Sequence, residues 1–243
     1  MSQQSADTAP GSGEAPPPSN RIRSFVLRAG RKTAAQQRSY DTLAGRYLIP
    51  FANSKSATSE MDFAAIFGNA NPVIAEIGFG MGIATAIIAE SNPGNNYLGM
   101  EVHRPGIGKL LWEIERRSLA NIRIIEHDAV EVFERMIPPC SLAGIHLFFP
   151  DPWPKKRHHK RRLVQRPFTD LLAAKLKPGG YLYMVTDWED YATWALSTLT
   201  STPGLVNVAD GFAPPQTWRP RTRFEAKGLE KNHTVRELLF EKR

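Results

Sequence analysis

Val73-Ile74-Ala75-Glu76-Ile77-Gly78-Phe79-Gly80-Met81-Gly82 is the stretch that decides the fold of this 243-residue chain. Its first five residues are almost all apolar and mostly β-branched, which predicts a short strand buried on both faces. Three glycines at alternate positions follow. Glycine lets a backbone turn sharply and approach a ligand closely. Ile83, Ala84, Ala86, Ile87, Ile88 and Ala89 then read as a helix. Strand, glycine-rich turn and helix together make the first half of a βαβ unit with a ligand loop at the strand's carboxyl end.

The same alternation continues downstream. Further strands are predicted over 97–102, 122–126, 145–149 and 181–186, with helices over 105–117, 129–136, 166–176 and 188–200. Late strands are expected at 205–208 and 235–240. Strands that alternate with helices of roughly 10–15 residues form parallel α/β sheets, and such sheets bind ligands at the carboxyl ends of their strands. Residues 1–20 are rich in Ser, Gln, Ala, Gly and Pro and contain no core, so they read as a disordered tail. Residues 21–60 mix arginines with Phe25, Tyr40, Tyr47 and Phe51 and read as an irregular basic arm packed on the domain at 61–243.

Charge narrows the functional class. Arg21, Arg23, Arg28, Arg31, Lys32, Arg38 and Arg46 oppose a single acid, Asp41, over 21–46, and 155–162 holds six Lys or Arg and no acid. Each segment carries +6 while the whole chain carries +7, which leaves −5 on the rest. Two cationic patches on an acidic body suit a polyphosphate partner. Cys140 is the only cysteine, which excludes a disulfide framework or a cysteine-built zinc site and favours a reducing compartment. No run approaches the roughly 18 apolar residues of a membrane span. A soluble cytoplasmic protein without a metal is expected; the oligomeric state is open, with a monomer favoured.

The strand ends carry the chemistry. Glu76 stands two residues before Gly78, ahead of Gly80 and Gly82. A loop built for pyrophosphate gains nothing from a carboxylate there, whereas a ligand with an ammonium or sulfonium group does. Glu101 ends the second strand, where a carboxylate accepts ribose hydroxyls, unless it is only a surface residue. Asp128 follows the third strand and reads as an adenine contact, a helix cap, or both. Phe148-Phe149-Pro150-Asp151-Pro152-Trp153-Pro154-Lys155-Lys156-Arg157-His158-His159-Lys160-Arg161-Arg162 puts a carboxylate at the end of the fourth strand, then a tryptophan, then the basic run. An ionised carboxylate accepts the N1–H and amino protons of guanine's Watson–Crick edge. Trp153 reads either as a stacking platform or as packing that fixes the proline-rich turn. Asp187 follows the fifth strand, facing the same rim or capping the next helix.

Together these segments resemble the bacterial tRNA (guanine-N7)-methyltransferase family. The resemblance is carried by Glu76 to Gly82, Gly99-Met100-Glu101-Val102-His103, His127-Asp128-Ala129, the Phe148 to His158 run, Val185-Thr186-Asp187-Trp188 and Thr222-Arg223-Phe224-Glu225. It implies a class I S-adenosylmethionine-dependent methyltransferase, with a Rossmann-like, mostly parallel seven-stranded sheet flanked by helices on both faces. Glu76, the three loop glycines, Glu101, Asp128 and Asp151 would bind S-adenosylmethionine, and Asp151 would also be catalytic. Lys155, Asp187, Thr222, Arg223, Phe224 and Glu225 would engage the substrate. Arg157, His158, His159, Lys160, Arg161 and Arg162 would contact the RNA. The implied product is 7-methylguanosine at position 46 of the tRNA variable loop. The rivals are an exocyclic-amino RNA methyltransferase, a nicotinamide-dependent oxidoreductase, against which Glu76 and the basic run argue, and a non-catalytic RNA-binding module.

Overall fold

Strand β1 (Val73–Ile77) is buried along its whole length, so its alternating side chains must be covered from both sides. The computed structural model describes residues 22–26, 30, 33–52, 60–221, 225 and 234–243. In it β1 is flanked by β2 (Asn96–Met100) and β4 (Leu142–Phe148), both parallel to it. β3 (Ile122–Ile125) extends the sheet beyond β2, and β5 (Leu176–Thr186) extends it beyond β4. The last two strands, β6 (Leu205–Asn207) and β7 (Arg236–Lys242), form an antiparallel edge. The spatial order is β3-β2-β1-β4-β5-β7-β6. Strand order reverses between β1 and β4, and that is where an open α/β sheet leaves a crevice for ligand.

Two apolar layers cover the sheet. Ile74 points into one, with Phe79, Ile107, Leu110, Leu111 and Ile114, beneath α3 (Ile83–Ser91) and α4 (Arg104–Arg117). Val73, Ala75 and Ile77 point into the other, with Phe133, Leu172, Tyr191 and Leu199, beneath α5 (Ala129–Arg135), α6 (Phe168–Lys175) and α7 (Glu189–Thr200). The mostly parallel seven-stranded sheet with helices on both faces is as expected. β5 starts earlier than the sequence pattern suggests, because Leu176 already pairs with Leu142 across a bulge.

The basic arm is a correction. Part of it is a regular helix, α1 (Ala34–Tyr47), closed by a capping box between Thr33 and Gln36. A short helix, α2 (Phe63–Phe67), leads into β1. The weak apolar stripe of α1 made it look irregular, and tertiary contact stabilises it instead. It lies against α4 so closely that a Cβ on Gly108 would sit 2.5 Å from the Gln36 carbonyl oxygen. The 1–20 tail and Arg21, Arg28, Arg31 and Lys32 lie outside the described residues. Among the described residues no helix is long and apolar enough to cross a membrane.

Candidate active site

The glycine loop is built as its composition demands. Gly78, Gly80 and Gly82 have φ of 71°, 57° and 68°, a left-handed region costly for residues with a Cβ. Packing tightens the requirement, since a Cβ on Gly106 of α4 would fall 1.9 Å from the Gly80 carbonyl oxygen. The loop therefore rests directly on a helix backbone.

Glu101 pins the loop to the end of β2. Its Oε2 accepts from the Gly80 amide at 2.8 Å, and its Oε1 accepts from the Val102 and His103 amides at 2.7 and 3.0 Å. Oε1 has thereby used both lone pairs, while Oε2 retains one for a ligand hydroxyl. These bonds give Glu101 a definite place at the loop, half-buried at the cavity wall. Asp128 is the N-cap of α5 and accepts from the Val130 amide at 3.0 Å. It also lines the cavity at the strand ends, so the cap does not remove it from the site.

This cavity, of about 230 Å³, is walled by Ile77, Gly78, Met100, Glu101, Val102, Asp128, Ala129, Phe149, Pro150 and Asp151. Ser24, Phe25, His127 and Leu163 complete it, and sequence reasoning assigned none of these four. Phe25 carried a hint as an aromatic in a basic segment, and His127 lay in a segment that carries the family resemblance without a role of its own. His127 is held by Glu131 at 2.7 Å, and Phe51 stacks on its ring at 3.6 Å between centroids. Glu76 does not line the cavity. It is buried near the end of β1, two residues before the glycine loop, 2% exposed, with its Oε2 lacking any hydrogen-bond partner. Burial, chiefly, pushes its carboxyl up to about 7; the nearby Thr85 hydroxyl eases the charge without a hydrogen bond of ordinary geometry, and Glu101 adds to the rise.

Asp151 is exposed at the cavity mouth, on a turn with unusual backbone. Phe149 and Trp153 on either side have φ of 49° and 46°, conformations that cost bulky residues roughly 1–3 kcal/mol each. The Phe149 amide donates to the Val185 carbonyl at 2.8 Å, which sets this turn beside the end of β5 and Asp187. Asp187 is not a cap, since Trp188 holds that position without a side-chain bond. The packing alternative for Trp153 holds: its indole Nε1 donates to the Ser24 carbonyl at 3.0 Å, and the Arg161 guanidinium lies 4.9 Å over its ring.

The basic run forms a short 3-10 helix, Lys156–Arg161. With three residues per turn, every third position shares a face. His159 therefore points inward against Trp194, and Arg162 follows it to the inside. Lys155, Lys156, Arg157 and Lys160 are exposed. Arg162 is a correction: it is 0% exposed and cannot touch RNA. Glu225 is a second correction, because it faces the core rather than substrate. At 4% exposure it accepts from two Arg219 nitrogens at 2.7 and 2.9 Å. Arg219 also donates to Glu237 at 2.8 Å and to the Tyr183 hydroxyl at 3.2 Å. Thr222, Arg223 and Phe224 lie outside the described residues. Among the described residues no group of three or more His, Cys, Asp or Glu is placed to hold a metal.

The arrangement fits S-adenosylmethionine. A left-handed glycine loop admits a bulky ligand, an acceptor at the end of β2 suits ribose, and the orphaned Glu76 oxygen near the end of β1 suits a nearby cationic group. A methyltransferase family model matches residues 70–238. The crystal structure of the 16S rRNA methyltransferase KamB is similar in fold, with a TM-score of 0.55 over 76% of this chain and 95% of that one at 14% identity. The tRNA (guanine-N7)-methyltransferase of Nitrosospira multiformis is 51% identical over 93% of this chain and 96% of that protein. That of Paraburkholderia xenovorans is 50% identical over 98% and 91%. A class I methyltransferase fold with this site and half-identical relatives along nearly its whole length makes the chain a member of the tRNA (guanine-N7)-methyltransferase family.

Proposed function

We propose that this enzyme methylates N7 of the guanosine at position 46 in the variable loop of tRNA, giving 7-methylguanosine. The observation that carries the reading is Asp151 at the mouth of the strand-end cavity, beside four exposed cations of the basic run. When bound, S-adenosylmethionine supplies an electrophilic methyl group on a sulfonium centre. The glycine loop, Glu101 and Asp128 would hold it, and the buried Glu76 carboxylate near the end of β1 would offset its positive charge without lining the cavity. Guanine N7 carries a free lone pair, so no proton has to leave it and no strong base is needed. The side chains contribute position and charge. Asp151 accepts from guanine's N1–H and amino group, which leaves N7 unobstructed, and offsets the positive charge that alkylation puts on the purine. Lys155, Asp187 and the 222–224 segment engage the nucleotide around it. Arg157, Lys160 and the neighbouring lysines grip phosphates, while His158, His159 and Arg161 shape that surface by packing on Trp153 and Trp194. A cytoplasmic location follows from the substrate.

Asp151→Asn tests the reading. At saturating tRNA and cofactor its kcat should fall about 100-fold, with cofactor affinity retained within a few-fold. A near-full rate would remove Asp151 from the chemistry.

A further inference from the structure

Besides Arg219, which is engaged by Glu225 and Glu237, the described residues bury a second large cation that neither RNA nor cofactor can reach. Arg162 is completely buried. Its Nε donates to the Pro152 carbonyl at 3.0 Å, and its Nη2 bonds the Asp190 carboxylate on α7. The guanidinium centre lies 5.1 Å over the Tyr191 ring and 5.2 Å over the Trp194 ring. Nη1 is buried without a partner. Burying an arginine costs several kcal/mol unless it is paired, and an apolar residue of like volume would fill the space more cheaply. A need for the fork itself explains the choice.

That need is visible in the turn. Pro150, Pro152 and Pro154 have no backbone N–H, so the 150–154 segment has few donors with which to hold itself together. The left-handed Phe149 and Trp153 make it costly as well as under-bonded. A donor from outside must fix it, and the Pro152 carbonyl, one residue past Asp151, is where Arg162 binds. The other arm of the fork ends on α7, packed on the sheet. A lysine ends in a single nitrogen on a flexible stem and cannot reproduce the two fixed donors of the fork.

We propose that Arg162 is a positioning residue: a buried latch that ties the 150–154 turn to α7 and so sets where Asp151 stands relative to the purine. The inference rests on the reading of Asp151 given above. It predicts an effect on the chemical step, because displacement of a catalytic group by about 1 Å costs on the order of 100-fold in rate.

The test uses the full chain with bulk tRNA. Arg162→Lys should lower kcat about 10- to 100-fold, with tRNA KM and cofactor Kd within about threefold of wild type. The ¹⁹F resonance of 5-fluorotryptophan at position 153, assigned through Trp153→Phe, should shift or broaden. Asp190→Ala cuts the far end of the latch at a solvent-exposed carboxylate, so it carries the test even if Arg162→Lys folds poorly. It should lower kcat in the same sense, and the double variant should be no worse than Arg162→Lys alone. An unchanged kcat overturns the proposal. So does a loss confined to tRNA KM with a shallower salt dependence, which marks a phosphate contact. Additive losses that track melting temperature, with the ¹⁹F signal unmoved, overturn it too, because they mark a role in stability alone. Asp151→Asn run alongside separates the two layers: its full activity sinks the Asp151 reading and this inference together, whereas its inactivity beside an unimpaired Arg162→Lys sinks only the latch.

Discussion

Replacing Glu76 by glutamine should stabilise the ligand-free enzyme while weakening its hold on S-adenosylmethionine. Burial lifts the carboxyl from 4.5 to about 7, a rise worth about 3 kcal/mol. The folded-state value lies above the unfolded one, so between pH 4.5 and about 7 the native state binds a proton that the unfolded chain does not. Stability therefore falls as pH rises through that window, and the full penalty applies above it. Glutamine keeps the shape and loses the charge. Near pH 8 the variant should gain up to about 3 kcal/mol, or about 6–12 °C in Tm for a chain of this size. Near pH 5, where the native carboxyl is already neutral, the two melting curves should converge. Calorimetric titration supplies the other half. Wild-type affinity for the cofactor should weaken below pH 7, by up to tenfold per pH unit, because the cation needs the ionised carboxylate. In Glu76→Gln that affinity should be low, with this pH dependence lost. A variant that melts no higher than wild type near pH 8, or an equal gap at both pH values, would show that the buried Glu76 charge does not weigh on the fold in this way.

Three other perturbations probe separate parts of the molecule. Changing Lys155, Lys156, Arg157 and Lys160 together to glutamine should weaken tRNA binding and reduce the slope of log affinity against log salt by about 0.7–0.9 for each phosphate no longer neutralised, with cofactor titration unchanged; an unaltered slope would rule out the grip. Arg219→Met strands Glu225 and Glu237 in the core without their shared cation, and urea unfolding should show a loss of about 3–5 kcal/mol. A loss below about 1 kcal/mol would show that the network is not held by that charge. Gly106→Ala drives a methyl group into the Gly80 carbonyl, so cofactor binding should fall at least tenfold while the far-UV spectrum stays native; binding at wild-type strength would contradict the close approach.

What the sequence disclosed follows from how local each signal was. β1, the glycine loop and α3 are consecutive, and their pattern needs no partner to be read. Glu101, Asp128 and Asp151 were found because a strand end is a sequence position as well as a place in space. α1 was missed although Thr33 and Gln36 form a visible capping box, because its apolar stripe is thin and its support comes from α4. Arg162 and Glu225 were misassigned for a deeper reason. A charged residue in a polar run looks exposed, and only the three-residue period of the 3-10 helix, or a partner such as Arg219 on another segment, turns it inward. Ser24 and Phe25 reach the cavity from more than a hundred residues away from Asp151 in sequence, through the bond from Trp153 to the Ser24 carbonyl. No periodicity announces such an approach.

The chemistry assigned to this site is delivery of a methyl group to N7 of a single guanosine of tRNA. Its most direct test is to methylate unmodified tRNA with labelled cofactor, digest one portion to nucleosides, and map the labelled base in the other by cleavage at 7-methylguanosine. All label should be 7-methylguanosine, and cleavage should fall at position 46. Label on an exocyclic amino group, or cleavage at another position, would contradict the assignment.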